Sequence, residues 1–259
     1  VPDKALDPWG LFNLRKFGIL VLILGGLEFL SYLLIKILGE KKGTLIVGFL
    51  GGLVSSTAVL LSNSKKARDN PAQWDSALIS TIAAKLAAAI ELLIIVGALS
   101  QELLIQIFPA MFSAIIIGSL GLWSLLKLLT PDLKSDGLVL QSPLDWKGVF
   151  RLSILLGSIL AVISLAKHHL GDQASYVVSF ITGLFELHGV SLANATMFVH
   201  EKISLEVASL NIILAFNASL LAKIFISWSF CKNQFSRYLS ILFLLMIVVS
   251  AVVLWWRSV

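Results

Sequence analysis

Residues 47–64 read VGFLGGLVSSTAVLLSNS, apolar enough to enter a lipid bilayer yet carrying three glycines and the consecutive hydroxyls Ser55, Ser56 and Thr57. Glycine lowers helix propensity by about 1 kcal/mol relative to alanine. Two gains offset that loss. Small residues let neighbouring helices approach closely. Alternatively, the helix breaks and its freed backbone groups line a polar cavity. Gly48, Gly51 and Gly52 fit either reading, and the hydroxyl triplet tips the balance toward a cavity.

The same stretch aligns without gaps on residues 178–195, VSFITGLFELHGVSLANA. The register matches Val47 to Val178, Phe49 to Phe180, Gly52 to Gly183 and Asn63 to Asn194, with Leu53, Val59 and Leu61 also matched. With a one-residue shift the match extends upstream, where LGE at 38–40 faces LGD at 170–172. The second copy is the more polar, with Glu186, His188, Ser191 and Asn194 at the corresponding depth. Two copies that concentrate polarity at one depth point to a site.

Composition sets the class. Of 259 residues, 58% are hydrophobic and only 14% charged, with a mean hydropathy of +0.93. Soluble domains are about 45–50% apolar and about 25% charged. Apolar runs of 18 or more residues are long enough to cross roughly 30 Å of hydrocarbon. The sequence therefore predicts an all-α, polytopic membrane bundle of about eight helices, at 17–38, 44–62, 74–98, 103–129, 149–170, 174–197, 204–228 and 237–256. Residues 1–16 read as a connector from a missing N-terminal part, 17–129 as a first four-helix repeat, 130–148 as a cytoplasmic loop and 149–259 as a second repeat.

Four spans per half predict parallel repeats, because inverted repeats need an odd number. That parity fails if 44–62 and 174–197 are re-entrant. The net charge is +5. Its basic residues cluster between apolar runs, which suits topology and anionic lipid rather than nucleic acid. With full spans, 12 Lys and Arg lie on the face of both termini and 6 on the other, among them Lys232 and Arg237. The positive-inside rule then puts both termini in the cytoplasm. The single cysteine, Cys231, excludes an internal disulfide and any multi-thiolate metal site.

Ionisable groups at bilayer depth are costly and functional by default. Glu28, Ser55, Lys85, Glu186 and Asn217 reach the expected midplane, and Lys85 pairs best with Glu28 or Glu186. A buried structural network is the bland alternative. Glu91 and Lys223, nearer span ends, suit snorkelling. No phosphate loop, nucleophile elbow or zinc-helix motif occurs. A hydrolase built from Ser55, His188 and Glu186 lacks any local signature, so neither enzymatic activity nor a cofactor is expected.

The blocks GGLVSSTAV (51–59) and ITGLFELHGVSLA (181–193), with DPWGLFNLRK at 7–16, resemble a bacterial membrane family of unknown function found C-terminal to MgtC/SapB-type domains. The resemblance implies a bacterial inner-membrane protein described as a transporter without a known substrate, and an MgtC/SapB-type domain as partner. Members carry two aspartates spaced by one residue, where this chain has Glu186 and His188. The expected function is passage of a small solute or cation past Ser55, Ser56, Thr57, Glu186, His188, Ser191 and Asn194, with a second copy of the chain (a homo-oligomer) as a candidate partner. Glu28, Lys85 and Asn217 would balance charge. A regulatory or scaffolding subunit of the MgtC/SapB kind is the alternative.

Overall fold

A computed structural model of the protein describes residues 43–128 and 172–258. The spans expected at 17–38 and 149–170, the connector, the loop at 130–148 and Glu28 lie outside the described residues. Those described form seven α-helices: α1 (Thr44–Asp69), α2 (Trp74–Leu99), α3 (Gln101–Leu128), α4 (Asp172–Gly183), α5 (Leu187–Val199), α6 (Leu205–Phe230) and α7 (Gln234–Ser258). A 3-10 turn, Pro71–Gln73, joins α1 to α2. Five helices are long and apolar enough to cross a membrane, so the chain is a multi-pass membrane protein by length and composition.

Two compact units share these helices. One holds Leu92–Pro109 and the described part of Leu144–Ser219. The other holds the described parts of Leu27–Glu91, Ala110–Pro143 and Leu220–Val259. The α2 helix is a core element, with 67% of its apolar window buried against 33% for α3 and 28% for α7. Ile105, Phe112 and Leu120 on α3, and Ile241, Leu245 and Val252 on α7, are exposed. Such apolar rows suit contact with lipid tails.

The length of α1 misleads. Gly48 lies so close to α2 that an added Cβ would stand 2.6 Å from the Ser80 Cα, and one on Gly52 would stand 2.3 Å from the Ala84 Cα. From 48 to 52 the chain therefore runs alongside 80 to 84. A straight helix rises about 1.5 Å per residue, which would bring Asn63 level with roughly residue 95. Instead the Asn63 Nδ2 donates to the Thr81 Oγ1 at 3.0 Å. The helix has doubled back at Ser55, its one interior residue with non-helical angles (φ −165°, ψ 100°). Residues 44–69 thus form a hairpin of two short arms rather than a span.

The segment expected as a single span at 174–197 is likewise two short helices, α4 and α5, separated at 184–186. Asn211 on α6 donates to the Ser175 Oγ at 3.2 Å and to the Asn194 Oδ1 at 2.7 Å, so both arms return to one point. The 12 residues of α4 would span only about 18 Å, well short of the hydrocarbon thickness.

These reversals correct the expected membrane faces. Lys65, Lys66 and Arg68 were placed opposite Lys232 and Arg237. In the structure Asn233 donates to the Ala67 carbonyl at 2.9 Å, and Trp74 stacks on Tyr238 with ring centroids 5.3 Å apart. The two basic segments share one end of their unit. The arms α4 and α5 return to one point on α6, so 172–199 does not count as the full span that the expected faces assumed.

Candidate functional site

In the first hairpin, packing and polarity are divided between neighbouring residues. Gly48 and Gly52 serve close approach to α2, where any side chain would collide with backbone. The break falls three residues beyond Gly52. There the Ser55 Oγ accepts from the Ala58 N–H at 3.2 Å and so caps the returning arm, 56–69. The arm is fastened lower down by Asn63, whose partner Thr81 donates in turn to the Ala77 carbonyl.

Thr57, second in the returning arm, accepts at its Oγ1 from the Lys223 Nζ at 3.4 Å. Lys223 is only 6% exposed. The expectation that it snorkels is therefore overturned, and likewise for Glu91, which is buried. Lys223 stands seven residues before the end of α6, roughly 10 Å along the axis, and its head meets Thr57 instead of the interface. Lys85 is fully buried on α2. Ser55, Ser56 and Thr57 are all half-buried.

The second hairpin breaks on a carboxylate. Glu186 is extended (φ −144°, ψ 106°), and its side chain accepts from the N–H groups of His188 and Gly189, at 3.1 and 3.2 Å. A carboxylate over a helix N-terminus is favoured by both hydrogen bonding and the helix dipole. His188 is half-buried. The Ser191 hydroxyl donates to the Leu187 carbonyl of its own helix at 2.8 Å.

Asn194 is fully engaged. Its Nδ2 donates to the Ser179 Oγ at 3.2 Å and to the Val190 carbonyl at 2.9 Å, while its Oδ1 accepts from Asn211. It clamps the hairpin arms to α6. Asn217 is buried further along α6. The sequence reading missed Asn211 and the depth of Lys223. An asparagine inside the apolar run of α6 was the available signal for the first. Among the described residues, no three His, Cys, Asp or Glu side chains converge as a metal site.

Helices of membrane-spanning length, together with two short-armed hairpins that break on half-buried polar residues, define a multi-pass helical membrane protein with irregular backbone within its apolar segments. Residues 21–231 match the domain of unknown function DUF4010, and the chain belongs to that family. An uncharacterised protein of Aquifex aeolicus (strain VF5) is 23% identical over 191 residues, covering 71% of this chain and 82% of that protein. No solved structure matches.

Proposed function

We propose that the protein is a transporter or channel for a small solute, built from two inverted repeats whose helix hairpins carry the polar site residues. One observation carries this reading: backbone breaks flanked by polar side chains lie within segments apolar enough for a bilayer. Non-helical backbone at membrane depth is tolerated where protein buries it or water lines it. Transporters use such discontinuous helices to hold substrate.

Duplication is supported by the register that pairs Asn63 with Asn194. It also pairs Ser55 with Glu186, the residue at each break, and Ala84 with Ala215, the residues against which Gly52 and Gly183 pack. The α2 and α6 helices start and stop in that register too. With the hairpins counted as non-crossing, each half keeps three spans, two of them described and one expected. An odd number makes the repeats inverted rather than parallel.

The basic residues then divide differently. Lys36, Lys41 and Lys42 join those of 65–68, 127–151 and 232–237 on one face, 12 in all, against 6 on the face of the termini. The positive-inside rule keeps loop 130–148 cytoplasmic and moves both termini to the outer face.

Flux and topology test the reading separately. Proteoliposomes should show protein-dependent swelling in at least one of a series of potassium salts, sodium salts and neutral solutes, reduced in Glu186→Gln. Absence of such flux throughout the series, or equal flux in the variant, would reject it. A C-terminal alkaline phosphatase fusion should be active and a C-terminal fluorescent-protein fusion dark; the reverse pattern would refute the inversion.

A further inference from the structure

We propose that one end of the unit holding α1 and α7, where α1 closes against the turn between α6 and α7, binds the headgroup phosphate of an anionic phospholipid. Such binding depends on neither transport nor the inversion of the repeats.

Charge converges there from two distant stretches of chain. Residues 65–75 and 228–240 carry five basic side chains, Lys65, Lys66, Arg68, Lys232 and Arg237, against two acids. Four of the five are exposed, and Lys66 is half-buried. Asn233 fixes their spacing. Its Nδ2 donates to the Ala67 carbonyl at 2.9 Å, and its Oδ1 accepts from the Phe235 N–H at 2.9 Å. Ala67 lies between Lys66 and Arg68, while Lys232 and Arg237 flank the other end of that bond. Both acids are engaged within the chain. Asp69 is ion-paired with Arg68 at 2.8 Å, and Asp75 accepts from the Ser76 N–H at 2.7 Å. The end keeps an excess of positive charge.

Depth is given by the aromatic rings. Trp74 opens α2 and stacks on Tyr238 near the start of α7. Trp228, in the last turn of α6, donates its Nε1–H to the Ser240 Oγ at 2.8 Å. Tyr238 and Trp228 are 46% and 41% exposed. Amphipathic rings at the ends of apolar spans gather at the level of lipid headgroups. The basic residues share that end, at the height where lipid phosphates lie.

Two plainer accounts cover only part of this cluster. Lys66 and Arg68, in the last turn of α1, complement the helix dipole there. The same dipole disfavours Lys232 and Arg237 at the start of α7, whose first turn holds no acid. The positive-inside rule accounts for the face chosen during insertion. It asks for no response of the finished protein to lipid charge. A phosphate held between the two segments offsets their repulsion and ties the returning arm of the first hairpin to the α6–α7 turn.

Phosphatidylcholine nanodiscs holding the full chain provide the test, with phosphatidylglycerol added in steps and the unfolding midpoint followed. The midpoint should rise saturably. The apparent affinity for phosphatidylglycerol should fall about fivefold in each of Lys65→Gln, Lys232→Gln and Arg237→Gln. Arg237→Lys should keep most of the parent response. All three side chains are exposed, so folding should survive; if one variant fails to fold, the other two carry the comparison.

No saturable rise, or an unchanged affinity in the folded variants, overturns the proposal. So does an equal rise with phosphatidylethanolamine, which carries no net charge. Inorganic phosphate or glycerol phosphate that reproduces the rise in neutral discs assigns the anion to the aqueous phase and overturns the lipid source. Flux and the C-terminal fusions report on the transport reading alone, so its failure leaves the lipid site standing.

Discussion

The two hairpins share a backbone plan and differ in chemistry. Each descends alongside a long helix, packs a glycine against an alanine of that helix, breaks on an extended residue and returns to an asparagine. At the first break the cap is a hydroxyl and a buried lysine stands beside it. At the second the cap is a carboxylate. Packing and clamping therefore set the shape, while one residue at the break sets the charge. That separation lets two hairpins of one backbone plan carry different charge at their breaks.

The shape is the part most easily broken. A Cβ at Gly52 would stand 2.3 Å from the Ala84 Cα and 2.4 Å from its carbonyl oxygen, and one at Gly183 would stand 2.5 Å from the Ala215 Cα. In both cases the obstacle is backbone, which yields only if the helices part. Overpacking of this kind costs about 1–3 kcal/mol. Gly52→Ala and Gly183→Ala should each lose at least about 2 kcal/mol within that range in reversible detergent or lipid unfolding. Gly52→Ala should be the worse of the two. A neutral outcome at Gly52 would mean that the first hairpin does not lie against α2.

The clamps differ in depth of wiring, and so should their removal. Asn63 makes one bond to α2, donated to Thr81. Asn194 holds Ser179 on one arm and Asn211 on α6, and Asn211 also holds Ser175. Removing Asn194 strips a partner from several buried groups, whereas removing Asn63 leaves Thr81 bonded to Ala77. Unsatisfied buried polar groups cost about 1–3 kcal/mol, while an interhelical bond in a membrane averages about 0.6 kcal/mol. Asn194→Ala should thus destabilise by about 2 kcal/mol and Asn63→Ala by less than about 1 kcal/mol. Equal losses would show that the extra bonds of the second clamp add nothing.

Much of this plan was legible beforehand because it is written in local chemistry. The glycines, the hydroxyl triplet and the gapless match of 47–64 to 178–195 singled out the two segments that break, while leaving packing and breakage open at the glycines. In that register Ser55 stands opposite Glu186, a correspondence that gains meaning only once both are seen to be caps. Direction was not legible. Hydropathy measures how long an apolar run is, and 26 apolar residues read alike whether they cross or turn back at Ser55. The first glycines were misjudged for a related reason: packing and breakage were treated as alternatives for one position, whereas Gly52 packs and Ser55 breaks. Lys223 was assigned to the interface by its distance along the chain, but its partner, Thr57, comes from a segment 166 residues away. The bonds of Asn194 to Ser179 and Asn211 are likewise tertiary, and no spacing rule reaches them.

Exchanging the caps gives the smallest change in stability and the sharpest test of the charge difference. Serine and acidic residues are both good N-caps, so Glu186→Ser should alter the unfolding free energy by no more than about 1 kcal/mol. Ser55→Glu places a carboxylate next to Lys223, at the point where the second hairpin already holds one. The dipole and the lysine both favour it, which should raise the unfolding midpoint slightly. Cys231 leaves such variants easy to check. It is 3% exposed, and burial pushes its thiol up, so a thiol reagent at neutral pH should label a new cysteine at position 55 well ahead of the native one. If Ser55→Glu unfolds at the same temperature as the parent or below it, the first break does not accept the carboxylate that the second one holds, and the two are not counterparts.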